Sequence, residues 1–438
     1  MPSAESGGLT ELGVRAAADR VRRGELSALA LTEACLERVE ALEPALAAWA
    51  HVDAPGAKVT ARERDAEARA GRVRGPLHGV PIGIKDIFDV AGMPTTAGAR
   101  EFAHTRPSKD STAVARLRAA GAVILGKTHT TQFAFRDPAP TRNPWNRQHT
   151  PGGSSSGSAA AVAARMVPAA IGSQTVGSIL RPAAYCGVVG LKGPHGLVPL
   201  DGVVPLAWSF DHAGPFARSV GDAAVVLSVM ADMAIEALAV EAPRLAIGRQ
   251  LFDRAEPQLR RHLEGVVERL AAAGARVTEL TLPAVFGEIH AAGQVVLEVE
   301  AATYHQAIFA KHGPDYGPGM REMLPSGLKR PATEYVTANR TRLAFRAAML
   351  PLLEAHDALL SPTAPGAAPA GLGWTGDASL CAPWSSAGVP SLSLPTGLDA
   401  AGLPLALQLV QAPGGLPRLL GVAAWCERVL SFTERPGD

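Results

Sequence analysis

The sequence has almost no net charge: 42 lysines and arginines stand against 41 aspartates and glutamates. So close a balance supplies no general electrostatic attraction to nucleic acid or to an anionic membrane. Cysteine is scarce. Cys35, Cys186, Cys381 and Cys426 lie far apart and form no CxxC pair. That spacing argues against a disulfide or metal framework and for reduced, buried thiols in a cytoplasmic protein. No uncharged apolar run reaches the length needed to span a bilayer. The opening MPSAESGG also lacks the basic start and apolar stretch of a signal peptide. The 12 histidines are scattered, with no HExxH and no close His/Asp cluster, so neither a metal nor another cofactor is expected. No internal repeat, low-complexity tail, linker or charge run divides the chain. The expectation is one large domain over residues 9–435, behind a disordered segment at residues 1–8.

What is present has an ordinary globular balance, with 47% hydrophobic and 19% charged residues. Apolar spacing predicts two amphipathic helices between residues 9 and 43, the second capped by Ser27 and ended by Pro44. A third follows near residues 61–70. Val80 to Ile84 reads as a short buried strand that ends, unusually, in Lys85, which at the surface would pair with Asp86. Gly121 to Thr128 satisfies the phosphate-loop pattern GxxxxGK[ST], but Ala122 to Leu125 reads as a buried strand after the helix from Thr112 to Ala120. A phosphate loop needs those residues in a loop between strand and helix, so the match is a coincidence. Further on come a helix at 220–233, a strand at 244–248, a helix at 259–273 and a strand at 276–282. Strands at 357–363 and 390–395 and a helix at 416–430 complete the pattern, and this alternation argues for an α/β fold. Residues 283–350 read as helical, with loops at 313–319 and 324–331. Tyr304, His305, Tyr316, Tyr335 and Arg340 in this region either line a pocket or lie on plain surface.

The stretch from Thr150 to Pro194 organises the chain. Two clusters of glycine and hydroxyl residues, Gly152 to Ser158 and Gly172 to Ser178, flank an alanine-rich run whose one charge is Arg165. Alanine favours helix, and the first cluster is placed to supply its turn and cap. Dense glycine suits sharp turns or close approach to a ligand, and serines there act as nucleophiles if a base is near. A flexible linker would not enclose such an apolar helix.

The stretch resembles the signature region of the amidase signature family of serine hydrolases. The family's Gly-Gly-Ser-Ser-Gly-Gly-Ser appears as Gly152 to Ser158, with Ser156 in place of a glycine. Its Asp-Thr-Gly-Gly-Ser appears as Gln174-Thr175-Val176-Gly177-Ser178, and the spacing of Ser154 and Ser178 is the one the family keeps. Lys85 sits in the family's Gly-Val-Pro-Ile-x-x-Lys-Asp setting. Gly126 to Phe133 is similar to Gly-Lys-Thr-Asn-x-x-Glu-Phe, with His129 and Gln132 substituted. Asp211 to Pro215 matches Asp-His-x-Gly-Pro, a structural turn near the site rather than part of a Ser-His-Asp triad.

The resemblance covers nearly the whole chain, and it implies a mixed central β-sheet with helices on both faces. It further implies a Ser-cisSer-Lys triad. Ser178 would be the nucleophile, Ser154 would relay its proton from beyond a cis peptide after Gly153, and Lys85 would accept it. The amides of Thr175, Val176, Gly177 and Ser178 would form the oxyanion hole, with Ser155 and Gly153 beside the substrate. A lysine base needs the lowered pKa that burial gives, and Ile82, Ile84 and Ile87 suit that environment. Arg181, three places after the nucleophile, resembles the malonamidase branch, where that arginine binds a substrate carboxylate; the alternative is an acidic partner within the fold. The implied substrate is a small amide, and the reading allows a homodimer. Two further readings stand beside it. The A subunit of a glutamyl-tRNA(Gln) amidotransferase shares the triad but places arginine one position nearer the nucleophile. A non-catalytic scaffold would have no need of all three triad positions.

Overall fold

The computed structural model describes residues 8–99, 104 and 106–437, and eleven strands among them form one sheet. In chain order these are β1 (Trp49–Val52), β2 (Pro81–Lys85), β3 (Val123–Thr128), β4 (Ala169–Gln174), β5 (Val189–Lys192) and β6 (His212–Ala217), followed by β7 (Arg244–Gly248), β8 (Arg276–Leu280), β9 (Ala358–Pro362), β10 (Ser391–Leu398) and β11 (Pro404–Val410). Across the sheet the order is β1-β3-β2-β4-β6-β5-β10-β11-β9-β7-β8. Pairing is parallel for β2 with β3 and β4, and for β7 with β8 and β9; the other pairs are antiparallel. The sheet is therefore mixed.

Successive side chains of a strand point to opposite faces, so a strand buried at every position must be covered on both. Every residue of β2, β3, β4, β5, β6, β9 and β11 is buried. The fold is a single α/β domain whose large mixed sheet is flanked by helices.

The alanine-rich helix Ser156–Ala163 is buried at every residue and packs against β2, β3, β4 and β6. Small side chains bring its backbone close to the sheet. At Gly157, whose N–H donates to His129 O at 2.9 Å, an added Cβ would stand 2.1 Å from Ala48 O. The expected serine cap is absent: Ser155 precedes the helix without a capping bond. The hydroxyls bind neighbouring carbonyls instead, Ser155 to Ser173, Ser156 to Gly152 and Ser158 to Ile171.

Several boundaries differ from the sequence reading. The helix Ala28–Leu46 runs through Pro44 rather than stopping there. Pro44 forgoes the bond that a backbone N–H there would make to the carbonyl of Glu40, and the helix runs only two residues beyond it. The third helix starts at Ala54, where Asp53 accepts from Gly56 N. Residues 324–329, expected as loop, continue the helix Pro318–Lys329 despite Pro325. Of the segment expected to be disordered, residues 1–7 lie outside the described residues and Gly8 has helical backbone. The phosphate-loop match is indeed strand β3, and Lys127 forms a buried ion pair with Asp86 at 2.7 Å. Asp86 is thus occupied by Lys127, not by Lys85. All four cysteines are free and buried. Among the described residues, no helix is long and apolar enough to cross a membrane.

Candidate active site

The parallel neighbours β2 and β4 bring Lys85 and Ser173, at their C-terminal ends, to the same edge of the sheet. Lys85 is fully buried, and its Nζ lies 2.6 Å from Ser154 Oγ and 2.8 Å from Ser173 Oγ. Burial holds the amine well below the ordinary lysine pKa, with only the carboxylate of Asp211 opposing that shift. Ser154 follows Gly153 through a cis peptide bond. Gly152 before it has φ +80°, a left-handed conformation that glycine adopts without strain.

Ser178 lies in the turn after β4, and its hydroxyl has no hydrogen-bond partner among the described residues. Its carbonyl accepts from Ser155 N at 3.4 Å, which joins the two serine clusters. The amides of Thr175, Val176, Gly177 and Ser178 likewise find no acceptor among the described residues. Four consecutive backbone donors in this turn are therefore without an acceptor among the described residues.

Three supports fix this loop. Thr175 Oγ1 donates to Asp211 Oδ1 at 2.5 Å, while Asp211 Oδ2 accepts from Leu206 N and Ala207 N. Burial raises the Asp211 pKa to about 6, against the lowering effect of the Thr175 bond and the two amides. Gln174 Oε1 accepts from Ile179 N and Leu180 N, at the start of the helix Leu180–Cys186, and its Nε2 donates to Ser385 Oγ. Ser385 Oγ in turn donates to Val176 O at 2.8 Å. Gln174, in a position usually acidic in the resembling family, thus works as a neutral acceptor of two amides.

Arg181 is buried, and its partners within the protein are backbone carbonyls rather than an acidic side chain. Nη1 donates to Gly376 O at 2.5 Å and Nη2 to Gly153 O at 2.6 Å, and Nε has no partner. No acidic side chain bridges it among the described residues. Gly153, expected beside the substrate, offers its carbonyl to Arg181, and Ser155 gives its hydroxyl to Ser173 O.

Sequence reasoning misses the roles of Ser173 and Asp211. Asp211 sits in the Asp-His-x-Gly-Pro match but reads there only as a turn, which it does close. His212 accompanies it in β6. Its Nδ1 faces Phe210 O and Gln174 O, and its Nε2 lies 3.4 Å from the buried amine of Lys192, whose pKa falls to about 7 on burial. Of the side chains noted between residues 304 and 335, His305 and Tyr316 are buried, while Tyr304 is exposed. Tyr316 stacks on Phe133 and bonds His305, and Tyr335 donates to Glu300, which also binds Ser209 next to the Asp211 turn.

The sequence model of the amidase family matches residues 30–420. The chain is 36% identical to a putative amidase, AmiD, of Mycobacterium tuberculosis, over 93% of this chain and 92% of that one. It is 35% identical to the A subunit of a glutamyl-tRNA(Gln) amidotransferase from Roseiflexus castenholzii, over 98% and 97%. Among solved structures it is similar to a crystal structure of an amidase, with a TM-score of 0.90, 35% identity and coverage of 96% and 100%. It is also similar to the native peptide amidase of Stenotrophomonas maltophilia, with a TM-score of 0.82, 32% identity and 98% of each chain covered.

Proposed function

The chain belongs to the amidase family and is an amide hydrolase, and from that premise we propose that it cleaves small amides through an acyl-enzyme on Ser178. The observation that carries this reading is the 2.6 Å contact between Lys85 Nζ and Ser154 Oγ, in a setting where burial lowers the pKa of the amine. Ser178 Oγ attacks the amide carbonyl. Its proton passes to Ser154, whose own proton passes to Lys85. The developing oxyanion takes the free amides of residues 175–178. Collapse of the tetrahedral intermediate breaks the carbon–nitrogen bond, and the leaving nitrogen recovers the proton through Ser154. Water then attacks the ester, and acid is released as Ser178 regains its proton.

Arg181 supports this chemistry by holding the carbonyl of Gly153, directly before the cis serine, and that of Gly376 across the site. With two terminal nitrogens so committed, its geometry favours support of the backbone over capture of a substrate carboxylate. Ser155 and Gly153 share that supporting task.

The test is ammonia release from a panel of small amides in the presence of hydroxylamine. An acyl-enzyme yields hydroxamate, in a ratio to acid that is the same for two substrates sharing an acyl group. A ratio that follows the leaving amine would show direct attack by water instead. The similarity to amidotransferase A subunits favours a second reading, in which the chain releases ammonia only within a complex. Turnover of simple amides by the isolated chain separates the two.

A further inference from the structure

A cavity of about 420 Å³ lies against the loop that leads to Ser178, with Thr175 and Val176 in its wall. For scale, a cavity of about 150 Å³ is enough to hold benzene. Phe210, Ile289 and Leu297 line its interior, and Trp374 is 56% exposed in its wall. Trp374 belongs to the segment 371–376, where Gly371 and Gly376 both have positive φ. Arg181 anchors that segment through Gly376 O.

The charged groups of the wall are already engaged. Arg136 pairs with Glu322 and stacks over Phe135. Asp377 accepts from Ser379 N at 2.7 Å, and His290 Nε2 lies 3.0 Å from Arg254 Nη1. Arg181, the cation expected to receive a carboxylate, is not part of the wall. The wall's arginine, Arg136, is half-exposed and shared with Glu322 at the surface, so an anionic group gains little there over water. A hydrocarbon group would bury chiefly against the exposed indole of Trp374, beside Val176.

We propose that this chamber binds the uncharged, apolar portion of the amide substrate, and that Trp374 is its specificity-determining residue. The proposal rests on the amide-hydrolase reading above and narrows it to neutral amides with a hydrocarbon body of several carbons on one side of the scissile bond.

The experiment compares kcat/KM for acetamide, hexanamide, N-hexylacetamide and malonamate, in the wild type and in Trp374→Ala. Each fully buried methylene contributes roughly fourfold, so at least one hexyl amide should exceed both acetamide and malonamate by about tenfold or more. Trp374→Ala should remove most of that advantage through KM, with a much smaller loss on acetamide. A flat series, or malonamate as the best substrate, overturns the proposal while leaving amide hydrolysis intact. Calorimetric titration of Ser178→Ala with the same amides separates the two claims if nothing is turned over. Tighter binding of a hexyl amide than of acetamide, lost with Trp374→Ala, supports the chamber without the chemistry. Equal or undetectable binding overturns the chamber.

Discussion

Thr175 and Asp211 are joined by a buried hydrogen bond of 2.5 Å, so the loop before Ser178 takes its position from a carboxylate on a different strand connection. The same carboxylate accepts the amides of Leu206 and Ala207, and Glu300 binds Ser209 in the turn between. The loop before Ser178 is thus tied through Thr175 to a turn held by two acidic side chains, Asp211 and Glu300.

Removing that tie should lower kcat far more than it raises KM. A hydrogen bond to a charged group is worth about 1.5–3 kcal/mol, so Thr175→Val and Asp211→Asn should each lose roughly ten- to a hundredfold in kcat, and Thr175→Ser should recover most of it. With its pKa raised to about 6, Asp211 is ionised above that pH and protonated below it. Its share of the activity should be lost as pH falls through 6, and Asp211→Asn should lack that component. Unchanged kcat in both variants would leave the contact to packing alone.

Lys85 predicts a second pH effect. The amine accepts a proton only when neutral, so kcat/KM should rise with pH through its lowered pKa and then level off. Lys85→Ala and Ser154→Ala should each lose several orders of magnitude, with the double variant little worse than either, because the residues act as one unit. The stability consequence has a fixed sign. Between the lowered folded pKa and the unfolded value of about 10.4, the unfolded chain binds a proton that the native state does not. Lys85 therefore destabilises the fold increasingly as pH falls through that window. Lys85→Met should be inactive yet gain stability relative to the wild type at pH 7 compared with pH 10, read from urea midpoints. Parallel stability curves for the two proteins would contradict a lowered pKa for Lys85.

Gln174 should matter to the fold as much as to the site. Gln174→Ala strands the amides of Ile179 and Leu180, each at a cost of about 1–3 kcal/mol when buried. Gln174→Glu keeps an acceptor but loses the donor to Ser385, so its urea midpoint should fall between those of wild type and Ala. A midpoint unchanged in Gln174→Ala would show that other groups cap those amides.

Arg181→Lys and Arg181→Ala should impair malonamate and neutral amides alike and lower Tm, because the guanidinium holds Gly153 and Gly376. A loss greater by about 1.5–3 kcal/mol on malonamate alone would assign Arg181 to a substrate carboxylate.

How far the sequence reveals these features follows from their range along the chain. Lys85, Ser154 and Ser178 stand in short local patterns, and it is the family resemblance carried by those patterns that singles them out. The contact of Asp211 with Thr175 bridges two segments, and the motif around Asp211 looks locally like a turn. Lys127 resembles a phosphate-loop lysine because its partner, Asp86, lies in another part of the chain. Strand β4 reads Ala-Ala-Ile-Gly-Ser-Gln and carries little of the β-branched signature of a strand. Its small side chains are there to let the helix Ser156–Ala163 approach. Pro44 reads as a helix end, although the helix continues through it to Leu46.

The most direct test is the identity of the nucleophile. A fluorophosphonate probe reacts with an activated serine, so peptide mapping of the labelled wild type should place one adduct on Ser178, with amide turnover lost in step with labelling. Ser178→Ala should take up no label and hydrolyse no amide while keeping the wild-type Tm. Full turnover by Ser178→Ala, or an inactivating adduct on any other residue, would contradict the mechanism.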